Sequence, residues 1–167
     1  MNLGTLSEKG KIANDKADKA LQFLANKYNI FYIPFPTNST SRVDGFFCTQ
    51  GYSNVDCISS MYEIKTRQGE IIEDKFHFEG KVYDTQLIVY QKLVDGMHLS
   101  EYLNVPFLLV VVFWNYIYIW KIDEDLIKES EVKETLTKYD INGRTALRMN
   151  CYLPFTKAVL KTTYNEV

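Results

Sequence analysis

The chain has 167 residues, 46% of them hydrophobic, enough for one sizeable core and too few to argue for two independent domains. Its 19 basic and 21 acidic residues nearly balance, so no overall positive field draws in a polyanion and any nucleic-acid contact has to be a local patch. Cys48, Cys57 and Cys151 are odd in number and fall at no metal-ligand spacing; they read as small core residues with reduced thiols, as in an intracellular, cytoplasmic protein.

The opening MNLGTLSEKGK holds no apolar core of a secretory leader. From Ser7 to about Tyr28, Ile12, Ala13, Ala17, Ala20, Leu21, Leu24 and Tyr28 recur at helical spacing with charged residues opposite, which predicts an amphipathic helix. IFYIPF (30–35) predicts a first strand stopped by Pro34 and Pro36, ahead of the polar loop NSTSR. VDGFFCT and SSMYEIKTR predict a second and a third strand joined by a turn-rich connection, where Tyr52 and Asn54 are candidates for touching nucleic acid. GEIIEDKFHFEGK reads as a loop with at most a short strand. DTQLIVYQKLVDG reads as a second helix with Asp84 as N-cap and Gly96 as its stop.

The apolar run 105–120 is shorter than the ~20 residues of a membrane span and is interrupted by Asn115. It reads as two buried strands turning near Trp114 and Asn115, and no membrane contact is expected. Beyond it, DEDLIKESEVKETLTKY reads as a charged helical run, NG as a turn and TALRMNCYL as a strand. The expected order is α-β-β-β-α-β-β plus a mixed C-terminal region. This is a single α/β domain, with a mixed central sheet flanked by helices, a core at about 7–122 and an extension at 123–167.

Within the third strand, Glu63 and Lys65 project from one face and Tyr62 and Ile64 from the other. Asp44 lies upstream at a separation that lets an adjacent antiparallel strand bring it beside Glu63. Two carboxylates and an ammonium at one sheet edge can hold a hard divalent cation, since Mg²⁺ commonly takes one or two protein carboxylates and completes its shell with water and phosphate oxygens. His77 and His98 have no partner at catalytic or ligand spacing and read as exposed loop residues. Arg67, on the Lys65 face, and Arg42 and Lys11 are candidates for phosphate contact.

With Asp44 on one strand and Glu63-Ile64-Lys65 on the next, the chain resembles the PD-(D/E)XK nuclease superfamily, of restriction-endonuclease-like fold; Val43 stands where the family name has proline. QLIVY, with Gln86 and Tyr90 four apart, is similar to the Q-x-x-x-Y motif of the RecB-like branch. The resemblance spans about residues 7–122. It implies a metal-dependent deoxyribonuclease in which Asp44, Glu63 and the backbone carbonyl of Ile64 bind Mg²⁺ or Mn²⁺. Lys65 would orient the attacking water, while Gln86 and Tyr90 would help seat the scissile DNA strand. The family often adds an acid from the first helix; here Asn14 stands nearest that place, with Asp18 flanking the apolar stripe. The opening helix and its KGK are also similar to Holliday junction resolvases, which act as symmetric dimers, so a homodimer stays open. The alternatives are a catalytically inactive module of this fold that binds branched DNA or a protein partner, and an interaction protein of unrelated fold using the charged segment 123–138.

Overall fold

The computed structural model describes residues 8–36, 41–49, 58–138 and 144–165. Helix α1 (Glu8–Tyr28) buries Ala20, Leu21 and Leu24, and Asn29 turns the chain out of it at φ 54°. Strands β1 (Ile30–Pro34), β2 (Gly45–Thr49) and β3 (Ile58–Thr66) follow as antiparallel neighbours. Next come β4 (Glu70–Ile72), β5 (Lys75–Phe78) and β6 (Lys81–Tyr83), then β7 (Thr85–Val89) and helix α2 (Tyr90–Leu103). The chain continues through β8 (Phe107–Val112), β9 (Tyr116–Ile122), α3 (Glu124–Lys128), β10 (Glu131–Lys138), β11 (Thr145–Pro154) and β12 (Leu160–Thr163).

A six-stranded sheet in the order β1-β2-β3-β8-β9-β12 is the backbone of the molecule, and β8 runs parallel to β3. A parallel neighbour needs a crossover, which α2 completes. Alternate residues of the central strands feed two cores. Met61, Leu109, Val111 and Trp120 meet Leu93 of α2 together with Ile88, Cys151 and Leu153 of the smaller sheet β10-β11-β7. On the opposite face Tyr62, Val110, Val112 and Ile117 meet Ala20, Leu21 and Leu24 of α1. Each fully buried large side chain contributes roughly 1.5–3 kcal/mol, so both faces of the sheet are strongly held.

Strands β1, β2, β3, β8 and β9 and the turn near Asn115 fall where the sequence predicts them, whereas β12 was not anticipated. Asn115 does more than interrupt the run: its side-chain amide pairs with both the N–H and the C=O of Ile71 at 2.8 Å, tying the β8–β9 turn to β4. No described helix is long and apolar enough to cross a membrane.

Four expectations need correction. The segment expected to begin the second helix is strand up to Val89, because Ile88 and its neighbours pair with β11. Gly96 lies inside α2, which ends instead at Asn104, at φ 53°, ahead of Pro106. The region expected to be a loop is the three-stranded meander β4-β5-β6, whose two-residue turns Glu73-Asp74 and Glu79-Gly80 all have positive φ. The charged run after β9 is helical only over α3 and then becomes β10.

Two histidines also change place, since His77 is half-buried on β5 and His98 is exposed on α2. Cys48 and Cys151 are buried as expected, while Cys57, Tyr52 and Asn54 lie outside the described residues. The described residues of segment 123–167 are built into the six-stranded sheet, with β12 at its edge, and into β10-β11-β7, with Phe155 in the core.

Candidate functional site

Gly45 pairs with Tyr62, so Asp44, one residue before β2 begins, stands opposite Glu63. The Asp44 N–H donates to the Tyr62 carbonyl at 2.9 Å, and its carboxylate Oδ2 accepts the Ile64 N–H at 2.8 Å. The aspartate side chain thus takes the backbone donor that β2 leaves behind at its end. Met61, an odd-numbered residue, donates toward β8 by way of Pro106, so the even-numbered Tyr62 and Ile64 turn their peptide groups toward β2. The Ile64 carbonyl therefore lies on the same strand edge as the Asp44 carboxylate. Gly45 is required there, because a Cβ would come within 2.4 Å of both the Ile33 carbonyl oxygen and the Tyr62 hydroxyl.

Glu63 is 1% exposed. Its Oε1 accepts from Lys65 Nζ at 2.6 Å and faces Lys92 Nζ at 3.1 Å, while Oε2 is buried without a hydrogen-bond partner. Burial pushes the Glu63 carboxyl up, but the two ammonium groups outweigh it and hold the group below the usual glutamate range. Asp44 goes the other way. Burial first and the Glu63 charge second raise it, against the opposing Ile64 N–H, Lys65 and Lys92.

These opposite shifts have opposite consequences for stability. For Asp44 the folded state holds more protons than the unfolded one between the unfolded and the raised folded value, so stability falls as pH rises through that window and the penalty persists at neutral pH. For Glu63 the contribution is present above the unfolded value and is lost as pH falls through the lowered folded one. At pH 7 without divalent cations, Asp44→Asn is expected to melt above the wild-type temperature and Glu63→Gln below it, as read by thermal denaturation. Two shifts of the same sign would contradict the electrostatic picture.

A cavity of about 770 Å³ opens beside these groups, lined among others by Asn14, Asp18, Asp44, Ile64, Lys65 and Lys92. The two helix candidates thus share the cavity with the strand residues, although Asp18 already accepts from the Tyr32 hydroxyl at 2.9 Å. Among the described residues no three His, Cys, Asp or Glu side chains gather as a metal cluster. The carboxylate pair matches the one or two that Mg²⁺ commonly takes from a protein, and the unpartnered Glu63 Oε2 is an acceptor suited to a cation.

The remaining candidates stand apart from this group. Gln86 and Tyr90 do not share a helical face: Gln86 is buried on β7 with its amide donating to the Leu87 carbonyl, whereas Tyr90 opens α2 and packs on the core. Neither lines the cavity. The Arg67 guanidinium donates to the Leu87 carbonyl at 3.1 Å, joining the end of β3 to β7, and burial lowers its pKa. Arg42 lies 3.7 Å from Asp95, and Lys11 is exposed on α1. Lys92 was missed because its partner lies on a distant strand and no spacing rule joins them. No protein-family model matches the chain, and a search of curated proteins finds no match.

Proposed function

We propose that the chain is a metal-dependent deoxyribonuclease of the PD-(D/E)XK type, acting at the cavity between α1 and the end of β2. The observation that carries it is the meeting of the Asp44 carboxylate and the Lys65 ammonium on one cavity wall, with the buried Glu63 carboxylate behind them, bonded to Lys65 and near enough for its charge to act on Asp44. A further support is the order of the sheet: a helix, three antiparallel strands, a crossover ending in a helix, and a strand parallel to the third is what the restriction-endonuclease-like fold would require. The insertion of β4 to β7 within the crossover is a departure.

Asp44, Glu63 and the Ile64 carbonyl would hold Mg²⁺ or Mn²⁺. When bound, such a cation lowers the pKa of a coordinated water and offsets charge on the phosphorane. The chain's own residues do the rest. Asp44 is fixed by the Ile64 N–H, so its free oxygen is aimed without a search over rotamers. Lys65, anchored on Glu63, orients the attacking water and stabilises negative charge on the phosphoryl oxygens, an effect strengthened by the dry surroundings of Glu63. Gln86 and Tyr90 act on the DNA strand only indirectly, by setting the β7–α2 junction from which Lys92 reaches the site.

One observation favours a second reading, a binding module without catalysis: Glu63 already carries two lysine partners, which compete with any cation. Incubation of the protein with plasmid, linear duplex, single-stranded and four-way-junction DNA, each with and without Mn²⁺, separates the two. Nuclease action is expected to give Mn²⁺-dependent cleavage of at least one substrate. Binding of the junction without cleavage under any condition would favour the inactive module.

A further inference from the structure

Two ammonium groups reach the same oxygen of Glu63, and they are not equivalent. Lys65 comes from the same strand at 2.6 Å with its side chain 32% exposed; Lys92 comes from the first turn of α2 at 3.1 Å and is 48% exposed. The Asp44 carboxylate stands within reach of both charges, so the two ammonium groups balance two carboxylates, and a divalent cation taken up by that pair would leave one of the lysines without its counter-charge. The position of Lys92 also has a cost, because a lysine in the first turn of a helix meets the positive end of the helix dipole. Nothing local relieves that cost: the first turn of α2 has no acidic residue, and Val89 at its N-cap provides no side-chain bond. An ammonium held against the dipole, on a carboxylate that already has a partner, is placed to serve an anion that comes and goes. Lys92 lines the same cavity as Asp44, Ile64 and Lys65, so that anion has room beside the carboxylate pair.

We propose that Lys92 is the phosphate-binding lysine of this site: its ammonium rests on Glu63 in the cation-free protein and passes to a phosphate of the bound DNA strand once Asp44 and Glu63 are committed to a cation. The inference rests on the metal-dependent reading of the site and adds a substrate contact to it. Lys92 is the partner that moves because it is the longer-range and more exposed of the two and stands on a separate element. It competes with the cation for Glu63 and works with the same cation on the phosphate.

That double role makes removal of the charge act in opposite directions on two ligands, which loss of a merely structural lysine would not do. In calorimetric titration with Mn²⁺, Lys92→Gln is expected to bind about fivefold more tightly than wild type, the upper range for a half-exposed ion pair. In fluorescence anisotropy with duplex DNA in Ca²⁺, the same variant is expected to bind more weakly, its salt dependence shallower by about one unit of log–log slope, as for one lost phosphate contact. Lys92→Arg is expected to restore DNA affinity and slope. Unchanged or weaker Mn²⁺ binding in Lys92→Gln, or an unchanged slope, overturns the assignment. If the wild type itself takes up no Mn²⁺, the metal-dependent reading falls and this inference with it. If the wild type takes it up and Asp44→Asn does not, an unmoved Lys92→Gln overturns the Lys92 role alone.

Discussion

Lys65→Ala is expected to reduce Mn²⁺-dependent plasmid cleavage by about 10²- to 10³-fold, the usual loss when one group that stabilises transition-state charge is removed. The structure makes this variant informative because Lys92 remains on Glu63 and still compensates the buried carboxylate. The fold should therefore survive, and cation uptake should persist. Asp44→Asn and Glu63→Gln are expected to lose cleavage at least as completely, but together with the cation, since each removes a charged ligand from a pair of two. The three variants thus divide into one that binds metal without cutting and two that do neither. Cleavage at wild-type rate in Lys65→Ala would remove the lysine from the chemistry.

Gly96→Ala is expected to have the largest effect on stability, and with the sign opposite to helix propensity. Alanine in place of glycine inside a helix ordinarily gains up to about 1 kcal/mol. Here an added Cβ would lie 2.0 Å from Cε1 of Phe107, which is buried at the start of β8 beside the buried Leu93. Neither side can retreat easily. The helix is held by Leu93 in the core, and Phe107 is flanked in the sheet by Met61 and Ile122. Overpacking of this kind costs about 3 kcal/mol at its upper range, leaving a net loss of about 2 kcal/mol. In a domain of this size that lowers the melting temperature by roughly 4–8 °C. Shortening the ring partner in Gly96→Ala/Phe107→Leu should recover part of the loss, a coupling that a double-mutant cycle measures. A stabilised Gly96→Ala would show that α2 does not press on β8 as described.

The same glycine shows why part of the fold was hidden in the sequence. Locally, Gly96 has the character of a helix stop; its actual constraint is the ring of Phe107, which only the crossover brings near. Strands β2, β3, β8 and β9 were legible because their apolar and β-branched residues are bounded by turns and prolines and need only the sheet to explain them. Ile88 and Val89 were not, because their strand preference is realised only by pairing with Cys151 and Asn150, far along the chain. The meander β4-β5-β6 escaped for another reason: Glu73 adopts a left-handed conformation that its residue type does not advertise.

At the site the contrast is sharper. The period of two in β3 and the Asp-Gly at the start of β2 were enough to anticipate that Asp44, Glu63 and Lys65 could meet. Gln86 and Tyr90 were assigned to one face of a helix that begins only at Tyr90. Lys92 lacked any local signal, since an ammonium in a helical segment ordinarily faces water and its approach to Glu63 depends on where α2 crosses the sheet.

Everything proposed for this cavity depends on whether Asp44 and Glu63 together grip a divalent cation. Isothermal titration of Mn²⁺ into the wild type, Asp44→Asn and Glu63→Gln at neutral pH measures that directly. Saturable uptake by the wild type that disappears in both variants is the predicted result; no uptake by the wild type, or equal uptake by all three, would contradict it.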